Sequence, residues 1–143
     1  AIVAAAHGQP IDTTDWSAHA ATADRLAAPA VVFTDPQVAT VGRTQAQAAA
    51  DGLDTRAVDY EIGSVAGAAL RADGYTGHAR IIVDTARRVI VGATLVGPDV
   101  GELIHSATIA IVGEVPLERL WHAVPAYPTV SEIWLRLLEA YGL

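Results

Sequence analysis

From Pro29 onward the chain divides into short apolar runs bounded by turn residues, the pattern expected of strands. Residues 30–34 (AVVFT) are β-branched and aromatic, and the turn dipeptide Asp35-Pro36 stops them. Residues 37–42 (QVATVG) continue extended and close at Gly42. Thr44 followed by Gln47 has capping-box spacing, which predicts an Ala-rich helix to about Asp51 before Gly52. Residues 55–62 (TRAVDYEI) read as a strand, and 64–74 (SVAGAALRADG) as a short helix or a loop. The clearest hairpin signal pairs 78–84 (HARIIVD) with 88–97 (RVIVGATLVG) across a few turn residues.

The second half changes period. Asp99 and Glu102 stand three apart ahead of an apolar segment ending at Gly113, an N-cap pattern that predicts a helix. Apolar residues occupy nearly all faces of this helix, so it is expected to be packed on several sides. Pro116 suits the first turn of a short helix running to about Trp121. Residues 122–128 (HAVPAYP) hold two prolines and are predicted irregular. A last helix is predicted from Thr129, with Val130, Ile133, Trp134, Leu137, Leu138 and Tyr141 as one apolar stripe at 3/4 spacing. That stripe fits either a core or a dimer surface, because homodimer interfaces resemble domain cores. Residues 1–28 stand apart: AIVAAAHG reads as the tail of an Ala-rich helix ended by Gly8, and the rest as a connection with one short turn. Strands first and helices last predict an α+β domain, a mainly antiparallel β-sheet with helices packed on one face.

Composition narrows what such a domain can do. At 143 residues and 52% apolar, the chain is long enough for one buried core and too short for two comfortable domains. Its net charge is −7, with nine arginines, no lysine and no basic cluster larger than Arg87-Arg88. Nucleic-acid binding, which needs concentrated positive charge, is therefore not expected. No apolar run reaches about 18 residues, so no membrane helix is predicted, and no signal peptide is read at the N-terminus. With no Cys there is no disulfide, thiolate metal site or cysteine nucleophile in this sequence, and a cytoplasmic setting is expected. The sequence starts at Ala1 and contains no Met, which suggests an excised fragment.

Candidate chemistry is thin. There is no G-x-G-x-x-G, no G-x-x-x-x-G-K-S/T and no G-x-S-x-G. The histidines at 7, 19, 78, 105 and 122 show no metal-ligand spacing, so they are read as surface, capping or packed residues and no metal is expected. Gly92, Gly97 and Gly101 either permit close backbone approach or serve ordinary turns and packing.

Three segments carry a resemblance. FTDPQVATVG (33–42), VIVGATLVGPDVGELIH (89–105) and AYPTVSE (126–132) resemble, in order, the opening, centre and C-terminal signature of one domain. It is the C-terminal dimerisation domain of the pyridine nucleotide-disulfide oxidoreductase family, which contains dihydrolipoamide dehydrogenase, glutathione reductase and mercuric reductase. The resemblance covers residues 29–143 as that domain. It implies that 1–28 are the tail of a preceding FAD-domain helix plus a linker.

The resemblance further implies a homodimer whose parent enzyme uses FAD and NAD(P)H, and a fragment inactive by itself. The partners implied are a second copy of the chain and the parent's FAD and NAD(P) domains, with no nucleic acid or membrane. In the family, a loop crosses into the partner subunit's flavin site, where a histidine exchanges protons with active-site thiols and a glutamate orients it. Those positions fall on Tyr127 and Glu132 here, while Pro128, Thr129 and Ser131 match directly. The implied site residues are therefore Tyr127 and Glu132 as catalytic groups, and Tyr127 and Pro128 as contacts to the partner's FAD. A free His titrates near ~6.5 and a Tyr near ~10, so Tyr127 is a poor substitute for the acid–base group and the acceptor is left open. Mercuric reductases also place a tyrosine in the C-terminal loop. The residues have plainer readings: Tyr127 packing on its neighbours, and Glu132 closing a T-x-x-E capping box with Thr129. The resemblance also favours a cis bond before Pro128. An alternative is a free-standing protein-interaction or small-molecule-binding module of the same fold.

Overall fold

The computed structural model describes residues 5–143. The element order is α1 (Thr22–Leu26), β1 (Pro29–Val32), β2 (Gln37–Gly42), α2 (Gln45–Ala50), β3 (Thr55–Glu61), a 3₁₀ turn (Ile62–Ser64), α3 (Ala66–Arg71), β4 (His78–Asp84), β5 (Val89–Gly97), α4 (Val100–Val112), α5 (Leu117–Leu120) and α6 (Glu132–Tyr141). The five strands form one sheet in the order β1-β2-β5-β4-β3, every neighbouring pair antiparallel. This is the α+β architecture expected from the order of apolar runs.

Alternation sorts the sheet into two faces. Ala39, Val41, Val58, Ala79, Ile81, Val83, Ala93 and Leu95 belong to the main core, together with Ile104 and Ala107 of α4 and Ile133, Leu137 and Leu138 of α6. Ile82, Val89 and Val91 point the other way and meet Ala48 of α2. The helices therefore gather chiefly on one face, with short α2 covering part of the other. In β5 the phase changes. Ile82 pairs with Gly92 and Val83 with Ile90, leaving Val91 as an extra residue in a bulge. Gly92 supplies the close approach that the bulge needs, because a Cβ there would overlap the backbone carbonyl of Arg43.

The β4–β5 connection shows how a buried acid is satisfied. Asp84 is 2% exposed, and its Oδ1 accepts the backbone N–H groups of Ala86 and Arg87, both at 3.0 Å. At the far end of the chain, Arg56 donates Nη1 to the Tyr141 carbonyl at 2.8 Å, and its guanidinium lies 4.9 Å from the Tyr141 ring centroid. One side chain of β3 thereby satisfies a terminal carbonyl of α6 and stacks on its last aromatic residue.

Several local expectations are corrected. Thr44 and Gln47 form the reciprocal capping box expected of them. Asp99, by contrast, makes no side-chain cap for α4: it sits at φ +57° and its carboxylate pairs with Arg71. The 64–74 segment is a helix at Ala66–Arg71. The last helix starts at Glu132, three residues later than expected, because Thr129–Ser131 form turns with i→i+3 bonds such as Glu132 N–H to Thr129 C=O at 3.2 Å. In the N-terminal stretch, Ala5 and Ala6 are helical and Gly8 follows at φ +65°; the expected helix tail over residues 1–4 lies outside the described residues. A short helix, α1, interrupts the connection.

Helix α4 is the most consequential correction. Val100, Ile104, Ala107, Ala110 and Ile111 are buried, but Ile109 is 59% exposed and Val112 40%. The helix packs on the sheet by one side; among the described residues its other side is exposed, with Glu102, His105 and Ser106 toward its start and Ile109 and Val112 toward its end.

Candidate functional site

The candidate site is the loop between α5 and α6 together with the surface beside it. Residues 122–128 lack regular structure, as two prolines dictate. The peptide bonds Tyr127–Pro128 and Asp35–Pro36 are both cis. Thr129 Oγ1 donates to the Ala126 carbonyl at 2.6 Å and closes the turn around them. Tyr127 is 78% exposed, and its hydroxyl makes no hydrogen bond among the described residues. It is presented outward rather than packed down.

Glu132 is the reverse. It is 5% exposed, and its Oε1 accepts the N–H of Thr129 at 3.0 Å and the N–H of Gly67 at 3.1 Å. Half of the expected capping box is therefore present: the glutamate reaches back to the Thr129 N–H. The other half is absent, because the Thr129 hydroxyl is committed to Ala126. Backbone donors around a buried carboxyl group satisfy it where water is excluded. Tyr127 and Glu132 share a loop but no hydrogen bond. The bond from Gly67 was invisible in the sequence, since Gly67 lies 65 residues away.

An apolar groove of about 340 Å³ runs between α4 and α6, with Ile109, Ala110, Leu120, Pro125, Trp134 and Leu138 among its lining residues. The Trp134 indole Nε1–H is buried and finds no acceptor among the described residues. The groove is partly open to solvent. Trp134 and Leu138, expected in either a core or an interface, are both at its wall, with Leu138 also part of the main core.

A second charged cluster lies on the open face of the sheet. The β3–β4 register sets Asp59 opposite Arg80 and Glu61 opposite His78. His78 Nδ1 lies 2.7 Å from Glu61 Oε1 and Nε2 lies 2.7 Å from Asp59 Oδ1, while Arg80 Nε donates to Asp59 at 2.8 Å. Two carboxylate neighbours favour the doubly protonated ring, so hydrogen bonds from Glu61 first and Asp59 second raise the His78 pKa above its ordinary 6.5. Asp59 is lowered from its usual value, chiefly by the Arg80 hydrogen bond. A raised histidine pKa gives stability that is full below about 6.5 and is lost as pH rises through the folded-state value. The urea midpoint of wild type should therefore fall modestly as pH rises above neutrality, with His78→Gln removing that slope; the pairs are exposed, so the effect is small. Equal slopes in the two proteins would exclude the linkage.

Among the described residues no group of three or more His, Cys, Asp or Glu side chains is arranged to hold a metal. None of the described helices is long and apolar enough to cross a membrane.

The fold and the loop define a class: a single antiparallel sheet backed by helices, with its signature turn delivered outward at the head of the last helix. The chain belongs to the pyridine nucleotide-disulphide oxidoreductase dimerisation domain family, whose model matches residues 28–137. It is 32% identical to the dihydrolipoyl dehydrogenase of Chlamydia pneumoniae over 130 residues, covering 91% of this chain and 28% of that protein. It is also 37% identical to dihydrolipoyl dehydrogenase 3 of Haloarcula marismortui over 112 residues, covering 78% of this chain and 23% of the relative. Among solved structures, the HOCl-induced flavoprotein disulfide reductase RclA from Escherichia coli superposes with a TM-score of 0.73 at 28% identity, over 82% of this chain and 27% of that one. LpdA from Mycobacterium tuberculosis superposes at 0.79 over 99% of this chain and 29% of its own; at 20% identity it supports the fold alone. The chain thus spans about a quarter of the length of the relatives it matches.

Proposed function

We propose that this domain holds together the two subunits of an FAD-dependent oxidoreductase that draws electrons from NAD(P)H, and that it delivers the Tyr127 loop to the partner subunit's flavin. The domain begins near residue 29, and residues 1–28 connect it to the parent's FAD domain. The observation carrying the reading is the exposed apolar end of α4, with Ile109 59% and Val112 40% exposed beside the apolar groove. A patch of this kind marks an interaction surface. The family match supports this reading over a free-standing small-molecule-binding module.

FAD, when bound in the parent, would supply the electron relay between NAD(P)H and the acceptor. The chain's own chemistry fits a boundary contact to that group rather than its holder. Its sheet is wholly antiparallel, without the parallel strand–turn–helix unit that cradles a dinucleotide pyrophosphate. Tyr127 and Pro128 are the residues proposed to meet the partner's flavin, and Glu132 supports them from below. Tyr127 can donate or accept one hydrogen bond toward an acceptor and lacks the imidazole of the family's acid–base group. The acceptor therefore need not be a disulfide, and this domain by itself is inactive. The parent is proposed to be cytoplasmic, a setting the chain's composition suits.

One experiment on the full-length parent tests both parts. Ile109→Arg puts a charge into the interface and is expected to turn a concentration-independent dimer into monomer in sedimentation, with loss of NAD(P)H-dependent turnover. Tyr127→Phe is expected to leave the dimer intact and to lower turnover with the natural acceptor several-fold. A dimer unaffected by Ile109→Arg removes the interface. Unchanged turnover in Tyr127→Phe with every accepted substrate reduces Tyr127 to packing.

A further inference from the structure

We propose that Gly67 and Glu132 form a latch that sets the position of the Tyr127 loop, making the short helix α3 a positioning element for a site far from it in sequence. The inference rests on the reading of that loop as the part presented to a partner subunit. It concerns how the loop is held rather than what the loop does.

Three observations converge on it. The single oxygen Glu132 Oε1 accepts N–H bonds from both Thr129 and Gly67, joining the residue that follows Pro128 to the first turn of α3. Glu132 is 5% exposed, so its carboxylate relies on these donors in place of water. The backbones of Gly67 and Thr129 also press directly together: a Cβ on Gly67 would overlap the Thr129 main chain. Gly67 is itself buried, and its φ is not in the left-handed region, so its lack of a side chain serves this contact and not a special backbone angle.

A purely local cap explains less. Capping the turn at 129–132 needs only the Thr129 bond. It requires neither the second bond to Gly67 nor the backbone contact. The latch explains how an irregular, twice-proline loop with an outward tyrosine can have a defined position: its C-terminal end is gripped from two sides. Ala68 at 0% exposure and Val65 at 3% seat α3 in the main core, so the grip is anchored to the sheet. Glu132 and Gly67 are therefore positioning residues, and neither is assigned contact with a reacting group.

Amide hydrogen exchange on this chain, with the Tyr127 ring signals of ¹³C-tyrosine-labelled protein as a second readout, separates the two accounts. Glu132→Ala is expected to speed exchange at Gly67 and Thr129 at least tenfold while the β4 and β5 amides stay slow. Glu132→Gln keeps a carbonyl oxygen in place and is expected to preserve most of the protection and the Tyr127 signals. Gly67→Ala keeps the Glu132 carboxylate but drives a methyl group into the Thr129 main chain, and is expected to speed exchange at Thr129 and move the Tyr127 signals while the β4 and β5 amides stay slow. Unchanged Thr129 exchange and Tyr127 signals in Gly67→Ala would overturn the latch in favour of the local cap. Equal loss of protection across the sheet in Gly67→Ala would also overturn it, by showing a general folding defect. If Glu132→Ala does not fold, Gly67→Ala decides. Should Tyr127→Phe leave the parent's turnover unchanged while these exchange effects appear, the functional reading of the loop fails and the latch stands.

Discussion

Gly92→Ala is expected to remove more than about 3 kcal/mol of stability, beyond the usual ~1–3 kcal/mol cost of overpacking. Gly92 sits in β5, the middle strand, paired with Gly42 of β2 on one side and Ile82 of β4 on the other. A methyl group there would overlap the Arg43 carbonyl, which is main chain and cannot rotate aside. Arg43 is held in place by its own N–H bond to the Val91 carbonyl at 2.9 Å. Relief therefore requires two strands to separate at the bulge, with loss of ladder hydrogen bonds. Since domains of this size are typically stable by ~5–15 kcal/mol, the substitution should lower both the urea midpoint and the thermal midpoint sharply. A change below about 1 kcal/mol would mean that the β2–β5 contact is far looser than described.

Leu137→Ala is expected to cost about 2–5 kcal/mol, the range for removing a large aliphatic side chain from a packed core. Leu137 is 0% exposed and lies in the main cluster with Ile81, Leu95 and Ile133. The site gives this loss a further consequence. Helix α6 carries Glu132 at its start, and Trp134 and Leu138 at the groove wall. Loosening α6 from the sheet should weaken dimerisation of the parent as well as stability, whereas the solvent-facing Glu139→Ala on the same helix should alter stability by ~0.5 kcal/mol or less. Chemical denaturation and sedimentation on the two variants check both statements. A Leu137→Ala protein within about 1 kcal/mol of wild type would contradict the packing given for α6.

The site was partly legible in the chain. Tyr127, Pro128 and Glu132 stand out because the AYPTVSE segment keeps a family pattern with one residue changed. The cis Tyr127–Pro128 bond agrees with what that pattern implied. Gly67 did not stand out, because a glycine in a short Ala-rich segment has no local signal separating close approach from ordinary use. The His78 cluster was equally hidden. Its carboxylates lie in β3 and its histidine in β4, and only the pairing register brings them opposite one another.

Local rules succeeded where the responsible atoms are neighbours in sequence. The Thr44–Gln47 capping box, the β4–β5 hairpin and the helix closed by Gly113 depend on contacts within a few residues, so residue type and spacing were enough. They failed where a side chain found a competing partner. Asp99 has the spacing of an N-cap, but its carboxylate goes to Arg71, distant in sequence; Thr129 has the spacing of a capping box, but its hydroxyl turns back to the nearby Ala126 carbonyl and the helix begins at Glu132.

By itself, the sequence determined the strand–helix order, the apolar faces that require an α+β core and the segments that place the chain in its family. Periodicity and turn chemistry are local and survive without knowledge of the fold. Tertiary structure alone decided that α4 leaves Ile109 and Val112 exposed, that Glu132 grips Gly67 as well as its own turn, and that Tyr127 faces outward. Each depends on which surfaces remain after the sheet and helices have packed. An apolar residue reads the same in the sequence whether its own core or another subunit is to cover it.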